Sequence, residues 1–470
     1  MTLTRRAFIK AGAMGAGGML LARPALGALA GPLGPAPLTT TSRASRLFEG
    51  TLLAHADLHN HSLLSDGDGD AANAFASMRN AGLDIAALTD HSTLSWGLPS
   101  TPCMGNTDCQ SLAGINEGSW EQTRALADLA NEDGSFVALR GFEWSSPTIG
   151  HMNVWFSERW MDPLHTGGGG SGEGAAQFAH DEGNFPAEQL AVLDALVKQA
   201  PTTGAGMASF YAWLTQSPGT PGIGGGADGL ASFNHPGREP GRFSHFKLVP
   251  GLDAVRDRVV AIEMFNRRED YLFEGTDSFA QSPLNECLNA GWRVGISGVT
   301  DEHSDDWAAE RHVGKGRTGL WLTELSRAGV REALAARRFF ATREAGLRVD
   351  ARANGTRMGS TLAHSSGPIT FQIDIDKGAE WLGKELLVQV LRSGSQMPAV
   401  QANVPVVVPT LEEDVISFTL DLDRADGDWV VLRISDPNTP VPSGGADGNA
   451  DATWQGYGKG MAYCSPFFLE

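Results

Sequence analysis

The chain has four cysteines in 470 residues. That is too few for a disulfide-built scaffold and too few for a cysteine-rich zinc or iron–sulfur site. It is also short of positive charge: 36 Lys and Arg stand against 55 Asp and Glu, a formal net charge of −19. A chain of that sign repels a phosphate polymer. Non-specific nucleic-acid binding is therefore disfavoured, and a small substrate held by local charge or by metal ions is favoured. Beyond the N-terminus no stretch approaches the roughly 20 apolar residues that a bilayer-spanning helix needs. Hydrophobic residues at 41% and charged residues at 19% exclude a disordered or coiled-coil chain. Glycine (58) and proline (24) are plentiful and imply long loops.

Residues 1–30 carry adjacent Arg5 and Arg6, then Phe8, Ile9 and Lys10, a Gly/Ala-rich stretch, and the small-x-small sequence Ala28-Leu29-Ala30. This resembles a bacterial twin-arginine signal peptide, which implies a mature chain exported to the periplasm or secreted. Cleavage would remove Arg5, Arg6, Lys10 and Arg23 and no acid, taking the net charge from −19 to −23. Residues 31–48 are Pro/Ser/Thr-rich and read as a linker. Cys103 and Cys109 share the polar loop TPCMGNTDCQ; in an oxidising compartment they either close a small disulfide loop or stay free. Cys287 and Cys464 are expected to be buried thiols.

From residue 49 to 345 one theme repeats: a short apolar run, a polar cluster, then a helical pattern. The runs are Thr51–His55, Ile85–Leu88, Phe136–Leu139, Leu230–Phe233, Val259–Ile262 and Val294–Val299. They are short, often β-branched and lack alternation, as suits strands buried on both faces of a parallel sheet. Helices are expected at 70–81 (with Asp70 as N-cap), 118–131, 186–200, 282–290 and 326–338. This order implies an α/β barrel or a doubly wound sheet. Residues 92–117 and 156–183 interrupt it as Gly/Ser-rich loops. After residue 346 the period changes. Ile369–Asp376 alternates strictly, and Leu386–Leu391, Val415–Leu422 and Trp429–Ile434 are further strand candidates, so residues 346–470 read as a β-sandwich-like domain.

The chemistry lies in where the His, Asp and Glu fall. His59 and His61 follow the first run in DLHNHS, with Asp66 five residues on. Asp90 and His91 end the second run, Glu143 the third, with His151 shortly after. His235 ends the next in FNHP, Glu263 another in IEMFN, and Asp301 and His303 the last in TDEHSD. In parallel α/β folds the C-terminal strand ends form the active-site face, so these groups would meet in one place. Two His spaced i, i+2 on a strand point the same way and can grip one ion. A lone residue of this kind is more often a helix cap or a surface side chain; seven such clusters together read as a metal site. His55, His165, His180, His245, His312 and His364 do not fit the pattern and are expected to be structural or exposed.

The run D-L-H-x-H-S-x-x-S-D-G, followed by A-G-L-D-x-x-A-L-T-D-H and later by N-H-P and D-x-H, is similar to the four motifs of the PHP (polymerase and histidinol phosphatase) metal-dependent hydrolases, in order. The Gly-rich insertions, MGS at 358–360 and AYCSPFF near the C-terminus resemble the carbaryl-hydrolase-type branch. The resemblance covers about residues 50–345 and implies a distorted (β/α)7 TIM-like barrel with two or three divalent ions, Zn, Mn or Fe, at its C-terminal mouth. It implies that His59, His61, Glu143 and Asp301 hold one ion. Glu143 would bridge to a second, held also by His151 and His235, and Asp66, His91 and His303 would hold a third. Asp90 and Glu263 would support these residues, Asp90 by orienting a ligating ring through a hydrogen bond.

Such a cluster supplies hydroxide near neutral pH and offsets charge on an attacked oxygen. The leading expectation is hydrolysis of a small phosphomonoester or phosphodiester, with Glu143, Asp301 and His303 nearest the chemistry. Arg238, Arg242, Arg267, Arg268, Lys315 and Arg317 follow the acidic clusters and are candidates for phosphate contacts, Arg238, Arg242, Arg267 and Lys315 foremost. Carboxylic or carbamic ester hydrolysis is the alternative; it would need an apolar pocket, for which Trp96, Trp144 and Trp155 are candidates. A non-catalytic metal- or glycan-binding protein is the third reading.

Overall fold

The apolar runs form strands, several extending further than sequence alone implies. In the computed structural model the strands are β1 (Leu52–Asp57), β2 (Ile85–Leu88), β3 (Val137–Ser146), β4 (Gly150–Trp155), β5 (Leu230–Phe233), β6 (Val259–Asn266), β7 (Glu269–Asp270), β8 (Gly295–Val299), β9 (Arg317–Leu322) and β10 (Phe339–Thr342), of which β4, β7, β9 and β10 lie outside the expected runs. Residues 43–92, 114–146, 149–161, 163, 203–221, 224–239, 241–273, 280–305, 307, 315–410, 414–441 and 452–470 are described. The segment expected to be a signal peptide, most of the expected linker, Trp96, Cys103 and Cys109, the helix expected at 186–200, and His165, His180 and His312 lie outside them.

Helices form at four of the expected places, and those at Thr203–Thr215 and Ala452–Gly456 lie outside the expected ones. The helices are α1 (Ala71–Asn80), α2 (Glu117–Ala130), α3 (Thr203–Thr215), α4 (Pro283–Asn289), α5 (Arg327–Ala335) and the short α6 (Ala452–Gly456). Asp70 caps α1, its carboxylate accepting from Ala72 N at 3.0 Å. Asn116 and Ser119 form a reciprocal capping box on α2, and Ser326 caps α5. Among the described residues no helix is long and apolar enough to cross a membrane.

The sheet is mixed, which corrects the expectation of a parallel one. β1, β2 and β3 pair in parallel, as do β5, β6 and β8, but β4 lies antiparallel between β3 and β5. The connection from β3 to β4 is too short for a crossover, so the chain can only return as a hairpin. β9 and β10 also add antiparallel, on the other side of β1. The sheet curves until β8 returns against β9. Thr318 Oγ1 accepts from Gly298 N at 3.1 Å and donates to Gly298 O at 2.7 Å. Beyond the strand ends, Asn60 and Glu302 form a parallel bridge, and Asp57 accepts from Thr300 N at 3.1 Å. The C-terminal ends of β1 and β8 therefore meet.

The remaining strands are β11 (Arg348–Ala353), β12 (Thr356–Arg357), β13 (Thr361–Leu362), β14 (Ser366–Asp376), β15 (Glu385–Arg392), β16 (Ala399–Val407), β17 (Ile416–Asp423), β18 (Trp429–Asp436), β19 (Lys459–Cys464) and β20 (Phe467–Leu469). β11, β12, β14 and β17 form a separate four-stranded sheet, whereas β19 pairs with both β18 and β10 and so continues the large one. Val349, Phe371 and Ile373 of the small sheet share one core with Val388, Val430 and Leu432 of the large sheet. The inward residues of β14, Ile369, Phe371, Ile373 and Ile375, face that core, while on the other face Thr370 and Gln372 are partly exposed and Asp374 and Asp376 are buried against Arg348, which accounts for the strict alternation at 369–376. Cys287 and Cys464 are buried free thiols.

Candidate metal centre

Glu143 stands in the middle of the centre. It lies on β3, fully buried, and the β3–β4 hairpin continues past it to Ser146. Its Oε1 is 3.2 Å from His59 Nε2, 3.3 Å from His235 Nε2 and 3.4 Å from His151 Nδ1. Its Oε2 is 2.6 Å from His91 Nδ1 and 3.6 Å from His61 Nε2. Asn234 Nδ2 donates to Oε1 at 2.7 Å, fixing the carboxylate's rotation.

The other residues close around it. His59 Nε2 and His61 Nε2 are 3.1 Å apart, and both face Asp301 Oδ1, at 3.5 and 3.4 Å. Asp66 approaches His91 Nε2 and His303 Nε2, both at 3.5 Å. Ligand atoms that lie within 4.8 Å of one another form five overlapping groups: His61, Asp66, His91 and His303; His59, His235 and Asp301; His59, His61 and Glu143; His91, Glu143 and His151; and His151, His235 and Glu239. His151 sits on its own strand, β4, opposite Ser145, not on a continuation of β3.

The electrostatics suit a cation. Burial alone would discourage charge on His59, yet Glu143, Glu263 and Asp301 outweigh it and hold its pKa well above the usual imidazole value. Burial likewise opposes ionisation of Glu143 and Asp301, but the surrounding imidazoles, His59 first, hold both well below the carboxylate range. His61, buried and facing His303 and His91, is pushed down to about 3 and is neutral, with a lone pair to offer. His61 Nδ1 is buried without a hydrogen-bond partner. The buried carboxylates hold His59, His91, His235 and His303 above the usual imidazole value, so they need positive charge among them; a divalent cation supplies it in place of those protons, and imidazole with carboxylate oxygen suits Zn, Mn or Fe. These residues fit a cluster of divalent ions.

A surrounding layer orients the rings. Glu263 Oε1 is 2.8 Å from His59 Nδ1, and its Oε2 accepts from His235 N at 2.7 Å. Glu239 Oε1 is 2.5 Å from His235 Nδ1. The motif reading missed Glu239; its only signal is an acid four residues after His235. Asp90 orients no ring. Its carboxylate accepts from Ser62 N at 2.7 Å and from the hydroxyls of Ser62 and Ser65, so it holds the loop that carries His61 and Asp66. Asp301, His235 and Arg267 have positive φ (49°, 25° and 53°), backbone strain gathered at the site.

The candidate phosphate contacts separate. Arg238 Nη2 is 3.1 Å from Asp301 Oδ2, and Arg267 Nη2 is 3.3 Å from the same atom. Lys315 pairs with Glu302, beside Asp301. Arg242 is excluded: it is fully buried, 3.2 Å from Glu286 Oε2, and donates to Gln281 O. The chain turns through left-handed residues from Arg242 to Phe246, which carries the side chain away from the centre. Arg268 O accepts from Arg343 Nη2. Trp144 stacks on Phe210 and Trp155 Nε1 donates to Leu58 O, so both are core residues rather than pocket walls. A cavity of about 510 Å³ lined by Arg256, Arg293 and Arg337 lies at the opposite strand ends, remote from this chemistry. There Arg337 donates to three backbone carbonyls and Arg293 pairs with Glu470.

No protein-family model matches the chain, and no curated protein does. Among solved structures it is similar to a two-domain protein from Bacteroides vulgatus containing a predicted PHP-like metal-dependent phosphoesterase. Identity is 14%, covering 92% of this chain and 100% of that one, with a TM-score of 0.42. It is also similar to a Bifidobacterium adolescentis protein assigned by inference as a metal-dependent phosphoesterase (15% identity, 59% and 95% covered, TM-score 0.29). A third is an amidohydrolase from Chromobacterium violaceum with bound sulfate and no metal (20%, 53% and 88%, TM-score 0.27). Likenesses of this size leave the chemistry to be read from the centre itself.

Proposed function

We propose that this chain is a metal-dependent hydrolase acting on a small phosphomonoester or phosphodiester. One observation carries the reading: six histidines, Asp66, Glu143 and Asp301, drawn from separate strands and loops, converge with Glu143 at their middle. His59, His61, Asp66, His91, Glu143, His151, His235, Asp301 and His303 would hold two or three divalent ions. Bound there, such ions bring the pKa of water towards neutrality and offset charge on an attacked phosphoryl oxygen.

The chain's own residues do the rest. Glu263 and Glu239 hold the rings of His59 and His235, so that their Nε2 atoms face Glu143. Asp301 turns Oδ1 to the imidazoles and Oδ2 to Arg238 and Arg267, joining the centre to its cationic rim. Guanidinium groups in that position receive a phosphoryl oxygen and orient the ester. His303, the most exposed of the six rings at 29%, is placed beside an entering substrate.

The arginine rim favours phosphate esters over carbamates, and the burial of Trp144 and Trp155 removes two described candidates for an apolar pocket. We assign the curved sheet to a distorted (β/α)7 barrel of the PHP type, the segment after about residue 345 to a sandwich domain, and the chain to export through residues 1–30. Metal-loaded protein assayed against p-nitrophenyl phosphate, bis-p-nitrophenyl phosphate and naphthyl carbamate tests the reaction. Turnover of a phosphate ester is expected, and carbamate turnover without phosphate turnover would reject the assignment.

A further inference from the structure

The C-terminal strands reach the rim of the centre through a two-stranded hairpin. β7 folds back on the end of β6, pairing Phe265 with Asp270 and Asn266 with Glu269, and its turn is Arg267-Arg268. On one side the hairpin holds Arg238. Tyr271 Oη accepts from Arg238 Nε at 2.6 Å and donates to Glu269 Oε2 at 2.5 Å, and Asn266 Oδ1 accepts from Arg238 Nη2 at 3.1 Å. With Asp301 as a further partner, the guanidinium is gripped along two edges.

On its other side the same hairpin is gripped from the C-terminal strands. Tyr463, on β19, places its hydroxyl 3.0 Å from both oxygens of Asp270. Arg433 Nε donates to that hydroxyl at 3.1 Å, and its Nη1 to Gln389 Oε1 at 2.8 Å. Asp270, Tyr463, Arg433 and Gln389 are all at most 1% exposed. Gly460 allows the close approach, since a Cβ there would meet Asp270 Oδ2 at 3.0 Å. Arg343 adds a second hold, donating to Arg268 O at 2.8 Å while lying over the Phe265 ring. A buried carboxylate costs free energy unless hydrogen bonds offset it; Asp270 accepts from Leu272 N and from the Tyr463 hydroxyl, and the second of these ties the hairpin to a strand 193 residues further along the chain.

We propose that Tyr463 and Asp270 position the anion-binding rim: they fix the β6–β7 hairpin so that Tyr271 and Asn266 present Arg238 to the phosphoryl group of the substrate. The C-terminal strands thereby serve substrate binding, not metal binding. This rests on the reading of the centre as a phosphoesterase site. Tyr463 touches neither ion ligand nor substrate; it acts through Asp270 and the hairpin.

The experiment is a double-mutant cycle on the full, metal-loaded chain with Tyr463→Phe and Arg238→Lys. It measures KM and kcat for p-nitrophenyl phosphate, the inhibition constant of inorganic phosphate, and bound metal. Tyr463→Phe is expected to raise KM and the phosphate inhibition constant about tenfold, with metal content unchanged and kcat altered less than twofold. In the Arg238→Lys background it should add little. Asp270→Asn gives the same readout should Tyr463→Phe fail to fold. Equal effects in both backgrounds, or an effect on metal content instead, would overturn the positioning role while leaving the phosphoesterase reading intact. Unchanged constants in Arg238→Lys alone would remove Arg238 from phosphate binding and overturn the positioning role with it, whereas a metal-loaded parent that turns over no p-nitrophenyl phosphate would overturn the phosphoesterase reading itself.

Discussion

His91 and Glu143 are joined twice: their backbones form a parallel bridge beyond β2, and His91 Nδ1 lies 2.6 Å from Glu143 Oε2. The end of one strand is thus registered against the middle of the next by the pair of side chains at the centre. Glu143→Gln keeps the shape and removes the charge. It should cost at least one bound ion per chain and lower turnover by about 10²-fold or more, by the measure of losing one preorganised charged contact. Elemental analysis beside steady-state rates checks this; full metal content with normal turnover would remove Glu143 from its central place.

Glu239 binds no substrate in this account, yet it sets the orientation of His235. Glu239→Gln should weaken metal affinity by about 10–100-fold, the usual effect of removing a partner that orients a ligating histidine. Competition with a chromophoric chelator reads this directly, and an affinity equal to that of the parent would show that His235 needs no such support.

Arg242 and Arg267 follow acidic clusters in the same way in sequence but differ in place. Arg267→Ala should raise KM for a phosphate ester about tenfold with little change in stability, because its side chain is 43% exposed beside Asp301. Arg242→Ala should leave KM alone and cost about 3 kcal/mol of stability, because it empties a fully buried guanidinium site and leaves Glu286 with His245 as its remaining partner. Kinetics and urea unfolding of the two variants separate the roles; the opposite pattern would exchange them.

His55 carries a pH dependence separate from the centre. It is buried in β1, both ring nitrogens lack a hydrogen-bond partner, and burial together with Arg317 and Arg43 pushes its pKa from 6.5 to about 3. The folded chain therefore binds this proton less readily than the unfolded chain. Its contribution to stability is full above pH 6.5 and is lost as the pH falls towards 3, by about 1.4 kcal/mol per unit. His55→Phe should flatten the acid limb of a stability–pH curve of metal-free protein over that interval. A curve parallel to the parent's would contradict the assignment.

Much of the centre was legible because short apolar runs locate strands, and His59, His91, His235 and Asp301 lie at or just past the ends of such runs. The pairing direction was not legible. β4 has no alternation, since all its residues but His151 are buried, and its hairpin with β3 is a tertiary fact. Side-chain direction was also hidden. Arg238 and Arg242 are four residues apart, yet a run of left-handed residues sends one to the rim and the other into the core. Asp90 ends a strand as expected, but loop hydroxyls compete for its carboxylate more effectively than an imidazole does. The cap of α1 at Asp70 was readable because a cap depends only on its own neighbours.

The most direct test is the metal content of the chain purified without chelator, measured by elemental analysis beside His61→Ala prepared in the same way. Two or three divalent ions per parent chain are expected, with loss of at least one in the variant and loss of phosphate-ester turnover with it. A parent chain without bound ions even after incubation with Zn, Mn and Fe, or a variant that retains every ion and its full rate, would contradict the account.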